Sequence, residues 1–257
     1  MIAMSTTARD AARNRYTPLP GTRNEIEAIA DMFARDSTKT LLGEHASEAA
    51  IQELSRQNAL RDFRFLHFAA HGEANPDVPL QSAILLAQPA PLSLTSTLTT
   101  DSIDDGRLTA RQVRDWKLTA DLVTLSACET GLGPRIRGQH FVGFSQAFLI
   151  AGAKAVVVSH WRVRDDATSL LMRRFYQNLL ARRDGLKRPM GKADALAEAK
   201  DWLRNLTGEE VDRMLGDLPP NVRSTVERRR ANVKIRSAKP FENPYFWAPF
   251  VLIGDRN

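Results

Sequence analysis

Residues 121–133 read Asp-Leu-Val-Thr-Leu-Ser-Ala-Cys-Glu-Thr-Gly-Leu-Gly, and this stretch decides the fold class. Between its ends the segment Asp121 to Ser126 is nearly all apolar, as in a strand of a sheet covered on both faces. The glycines that follow stop the strand and open a loop. The same pattern repeats outward in both directions. Phe63 to Ala70, FRFLHFAA, is a second buried strand bounded by Gly72, and Ala155 to Ser159, AVVVS, is another. A helix of small and apolar residues at Phe141 to Ala151 and a long amphipathic helix at Asp166 to Arg183 lie on either side of AVVVS. Strands alternating with helices imply a mostly parallel central sheet flanked by helices, an α/β fold in three layers.

Nearer the amino end, Thr22 with Glu25 three residues on predicts a capping box, and Ile26, Ile29, Met32 and Phe33 extend it as a helix to about Arg35. Thr40 to Gly43 is a candidate strand. Ser47 then opens a helix carrying Ile51 and Leu54 on one face. A strand at Ser82 to Ala87 precedes Gln88 to Gly106, which is rich in Pro, Ser, Thr and Asp and reads as a long loop or hairpin-like excursion. A short helix from Thr109 to Trp116, another at Lys192 to Leu206 and a last strand at Val251 to Ile253 complete the pattern. Residues 1–17 lack the apolar run of a secretory signal and are expected to be a disordered or truncated leader. Residues 18–257 are expected to form one domain, with a polar, basic insertion at 207–239 interrupted by Pro219 and Pro220.

The 257 residues are 43% apolar and 26% charged, which excludes collagenous and disordered classes. A chain of this length buries roughly 75% of its extended surface, enough for a core without disulfides or structural metal. Its most apolar stretch, Phe141 to Trp161, is broken by Gln146, Gly152 and Lys154, so no membrane span is expected. The single cysteine, Cys128, excludes an internal disulfide framework and any multi-cysteine cluster within one chain, and it fits a reducing, cytoplasmic location. The net charge is +6, with 28 arginines beside 8 lysines. Seven basic residues and one acid, Glu227, occupy the run from Arg223 to Lys239. A solvated face is the common explanation of such a run, and contact with nucleic acid or an acidic partner is the other.

In open parallel sheets functional groups collect at the carboxyl ends of the strands. Two ends here carry reactive side chains: His71-Gly72 after FRFLHFAA, and Cys128 after DLVTLSA. A thiol of ordinary pKa near ~8.5 is only a few per cent thiolate at neutral pH, and an adjacent imidazole can take its proton and later protonate a leaving amine. Backbone N–H groups of Gly72 and Cys128 are suited to an oxyanion hole, glycine permitting close approach. From spacing alone, Cys128 reads more readily as a buried small hydrophobe than as a nucleophile. His67 and His71 are four apart, but on a strand and with no third ligand, so they make no zinc site and His67 reads as packed or hydrogen-bonded.

The segments HFAAHGEA, DLVTLSACETGLG, RGQHFVGFSQAFLIAGAKAVVVSHWRVRD and NPYFWAPFVLIGD resemble the successive blocks of the CHAT domain, a caspase-like peptidase domain related to separase. PLPGTRNEIEAIADMF and LLGEHASEAAIQEL extend the similarity, so that it spans Pro18 to Asp255. The resemblance implies a caspase-hemoglobinase-like three-layer fold and a cysteine endopeptidase, with Cys128 as nucleophile, His71 as base and acid, and no metal or organic cofactor. It also implies protein substrates, a regulatory protein partner or repeat domain, and a setting such as bacterial defence or cell death. Arg137-Gly138-Gln139-His140 departs from the family's Arg-Gly-Glu-Gly and removes an acid from the loop after the nucleophile.

By similarity to separases, Asp165 in Trp161-Arg162-Val163-Arg164-Asp165 occupies the place of an aspartate that holds a basic P1 side chain. Alternatively, Asp165 is an N-cap of the helix that follows. Ser126 matches a position lining the primary pocket of caspases, and His160 and Trp161, a few residues before Asp165, lie near the same proposed pocket. A non-catalytic interaction module with the same fold is the alternative to the peptidase.

Overall fold

The computed structural model describes residues 1–5, 19–75, 77–87, 105–126, 142–161, 163–216 and 238–257. In chain order the strands are β1 (Ile2–Ser5), β2 (Lys39–Leu42), β3 (Phe65–Ala69), β4 (Gly72–Glu73), β5 (Ala83–Leu85), β6 (Arg107–Thr109), β7 (Leu122–Leu125), β8 (Ala155–Ser159) and β9 (Phe250–Gly254). The helices are α1 (Pro20–Ala30), α2 (Glu48–Arg56), α3 (Ala110–Arg114), α4 (Val142–Ile150), α5 (Asp165–Leu179), α6 (Lys192–Asn205) and α7 (Gly208–Gly216).

The central sheet has the order β2-β1-β3-β7-β8-β9, with every pair parallel except β8 and β9. Strand alternation divides its side chains between two cores. Leu66, Phe68, Val123, Leu125, Val156 and Val158 pack with Ile51, Val113, Phe144 and Phe148 from α2, α3 and α4. Ala3, Leu122, Ala155 and Val157 pack with Ile26, Ile29, Leu171, Phe175 and Tyr176 from α1 and α5. The three-layer α/β fold expected from the strand pattern is the observed one. Local chemistry starts the helices where expected in two cases. Ser47 Oγ accepts the Ala50 N–H ahead of α2, and Thr109 and Gln112 form a reciprocal capping box ahead of α3. Gly152, at φ 111°, turns α4 into β8, and a Cβ there would sit 2.3 Å from Leu118 O.

Three expectations require correction. First, residues 2–5 are not part of a leader: β1 lies inside the sheet between β2 and β3, with Ile2 opposite both Lys39 and Leu66. Four residues suffice for a strand whose partners come from distant sequence, and so short a run carries no periodicity to read. The remaining leader residues, 6–17, lie outside the described residues. Second, Thr22 and Glu25 form no capping box. The helix starts at Pro20 after Leu19, Thr22 Oγ1 donates to Leu19 O at 2.8 Å, and the Ser5 hydroxyl donates to Thr22 Oγ1 at 2.7 Å. Third, the 207–239 segment is not all polar excursion, because α7 occupies part of it and buries Val211 in the α1/α5 core. Its start is capped by Thr207 and Glu210, which hydrogen-bond reciprocally.

The strand near Ser82 exists, but it joins a separate antiparallel sheet, β4-β5-β6. Most of the excursion that follows it, residues 88–104, lies outside the described residues, as does the basic run up to residue 237. Among the described residues, no helix is long and apolar enough to cross a membrane.

Candidate active site

At the carboxyl edge of the sheet, β3 and β7 leave side by side. Phe68 pairs with Leu125, and the Ser126 N–H donates to Phe68 O at 3.0 Å. Three residues beyond Phe68 stands His71, 8% exposed, whose carbonyl accepts the Leu85 N–H at 2.8 Å. That bond and the pairing of Gly72 with Ile84 dock the histidine loop onto the small sheet. Cys128 follows Ser126 by two residues in the chain and lies outside the described residues, as do Gln139, His140 and Arg162.

Ser126 is buried, with Oγ 3.2 Å from His67 Nε2. Ser159 ends β8 on the next strand, its hydroxyl donating to Trp161 O at 2.6 Å. The Trp161 indole N–H donates to Tyr245 O at 2.9 Å, and its ring stacks on Tyr245 with centroids 6.5 Å apart. His160 is exposed, and its backbone N–H donates to Pro249 O at 3.0 Å.

Asp165 is the first residue of α5 rather than its cap, a place held by Arg164. Its Cβ lies against Gly21, where an added Cβ would come within 2.9 Å, so the starts of α1 and α5 meet. The neighbouring acid, Asp166, is engaged twice by the Arg164 guanidinium, at 3.1 and 2.5 Å, and accepts the Ala167 N–H at 2.9 Å. Arg164 is thereby neutralised by Asp166 and not directed at Asp165.

A buried polar cluster that the sequence reading did not assemble lies behind this edge. His67 Nε2 is 2.7 Å from Glu25 Oε1, and His67 Nδ1 is 3.2 Å from Tyr176 Oη, which is 3.1 Å from Thr124 Oγ1. The His67 and Glu25 side chains are 0% and 2% exposed. Burial pushes the Tyr176 phenol well above its ordinary value; the Thr124 hydrogen bond opposes this and the Glu25 charge adds to it, so the phenol keeps its proton. The signal was present as polar residues on inward positions. His67, Thr124 and Ser126 share the α1/α5 side of their strands, and Glu25 adjoins Ile26 and lies four residues before Ile29. The expectation that His67 is hydrogen-bonded holds. Among the described residues, no three His, Cys, Asp or Glu side chains gather to hold a metal ion.

A mostly parallel three-layer α/β domain, with His71 just beyond β3 beside the end of β7 at one edge of the sheet, defines the class. Within that class, the model of the CHAT domain matches residues 1–255, and the chain belongs to the CHAT domain family. It is 24% identical over 260 residues to human tetratricopeptide repeat protein 28, covering 93% of this chain and 8% of that protein. The mouse protein of the same name is 28% identical over 147 residues, covering 57% of this chain and 4% of that one. The chain therefore matches only a small part of either relative. Among solved structures, the Arg-specific cysteine proteinase gingipain R aligns with 99% of this chain and 46% of its own, at 8% identity and a TM-score of 0.45.

Proposed function

We propose that this CHAT domain is a cysteine endopeptidase with Cys128 as nucleophile and His71 as base and acid. The observation that supports the reading is the adjacency of parallel β3 and β7, whose carboxyl ends, tied by the Ser126–Phe68 hydrogen bond, come three residues before His71 and two before Cys128 in the chain. His71 takes the thiol proton as sulfur attacks the peptide carbonyl carbon, then hands it to the amine as the C–N bond breaks. Water, deprotonated by His71, hydrolyses the thioester and restores the thiol. Amides of Gly72 and Cys128 stabilise the oxyanion, one such donor being worth about 3 kcal/mol. Ser126, His160, Trp161 and Asp165 line the P1 pocket, and Asp165 favours a basic P1 side chain.

The domain works in the reducing cytoplasm under a regulatory partner or an attached repeat segment, a context favoured by relatives named as tetratricopeptide repeat proteins. The test is mass-spectrometric mapping of cleavage in a lysate by wild type against Cys128→Ala. Wild-type-dependent cuts after Arg or Lys are expected. Equal maps would sink the peptidase reading and favour a non-catalytic interaction module. Cuts dominated by apolar residues or aspartate at P1 would remove Asp165 from its role.

A further inference from the structure

Three elements converge on the end of β7: α1 through Glu25, β3 through His67, and β7 itself through Ser126. Because a carboxylate can only accept, the short Glu25 contact assigns the Nε2 proton to His67, and Ser126 Oγ shares that proton as a second acceptor. The opposite ring nitrogen then accepts from the Tyr176 hydroxyl, which in turn accepts from Thr124. Every imidazole position is thus satisfied, and the ring cannot rotate without breaking bonds to α1 and α5.

Stability alone does not explain the arrangement. Apolar residues of similar volume usually fill such space at least as well as a buried charged or polar pair, whereas a satisfied polar network specifies one geometry. The network reaches Ser126, two residues before Cys128, where the Ser126 N–H makes the last bond to β3 among the described residues.

We propose that Glu25 and His67 are positioning residues that hold Ser126 in one orientation and so aim the chain that carries the Cys128 thiol. This rests on the peptidase reading for its purpose but not for its measurement. Cys128 is the chain's single cysteine, so alkylation by iodoacetamide reports on it without ambiguity.

The experiment is a double-mutant cycle in the full chain with Glu25→Gln, Ser126→Ala and both together. Its readouts are the pH profile of the alkylation rate and peptide-resolved hydrogen exchange across residues 122–133. Each single variant should slow alkylation about tenfold, the factor that corresponds to one hydrogen bond of ordinary strength. The double variant should be no slower than either single one, because the two residues act through one path. Exchange over 122–133 should rise in all three, and Ser126→Thr, which keeps the hydroxyl, should restore both readouts.

Additive effects, or a lowered melting temperature with unchanged alkylation and exchange, would overturn the proposal. Should Cys128 of the folded wild type resist alkylation altogether, the peptidase reading fails and the exchange arm alone decides the positioning. Should wild type cleave peptides while the cycle is additive, the peptidase stands and the positioning fails.

Discussion

The two faces of the central sheet are built on opposite principles. On the side of α2, α3 and α4, the inward residues of β3 and β7 are Leu66, Phe68, Val123 and Leu125, packed on Phe144 and Phe148 with no polar side chain among them. On the side of α1 and α5, the same two strands place His67, Thr124 and Ser126, met by Glu25 and Tyr176. An apolar face tolerates substitution at a cost proportional to the volume lost, whereas a polar one fails as a unit when one partner is removed. The face that fails as a unit is the one that carries Ser126 at the end of β7.

Truncation carries the largest expected effect on either face. His67→Ala leaves the Glu25 carboxylate buried without its partner and should cost about 3–5 kcal/mol. Phe148→Ala opens a cavity on the apolar face and should cost about as much, roughly 3–5 kcal/mol. Urea unfolding of both checks the equality, and a much smaller cost for His67→Ala would show that the pair is not held in low dielectric.

Replacing both members sharpens the comparison. Glu25→Met with His67→Leu removes the charge and its partner together and should recover stability to within about 1–2 kcal/mol of wild type or better. Cys128 alkylation should stay slow in this pair. Restored stability with restored reactivity would reduce the network to packing.

The smallest expected effect lies on the outer layer, between α5 and α6. Burial works to raise the Glu198 carboxyl, but hydrogen bonds from Arg174 and Asn178, with the Arg174 and Arg183 charges, outweigh it and hold the group below its usual 4.5. A carboxyl depressed in the folded state adds stability above the unfolded value and loses it as pH falls through the folded one. The melting-temperature gap between wild type and Glu198→Gln should therefore be open at pH 7 and close progressively below about pH 4.5. A gap independent of pH would exclude the linkage.

The parallel sheet was legible because β3, β7 and β8 are apolar runs bounded by glycine, and the helix starts at Ser47 and Thr109 fell where the sequence put them. β1 was missed because four residues carry no period and its pairing to β2 and β3 spans more than thirty residues of sequence. Glu25 was misread for a related reason. Thr22-x-x-Glu25 is the pattern of a capping box, and only the packing of α1 on β3 turns that carboxylate toward His67.

For the candidate site, His71 and Cys128 stood out as reactive side chains at strand exits, and resemblance named their roles. Local periodicity and glycine placement were enough to read the layers, the strand exits and the residue types available there. It took the packing of α1, β3, β7 and α5 in the folded chain to bring Glu25, His67, Ser126 and Tyr176 together. Polar contacts across distant elements leave no local pattern, and their geometry exists only once the chain has excluded water from between them.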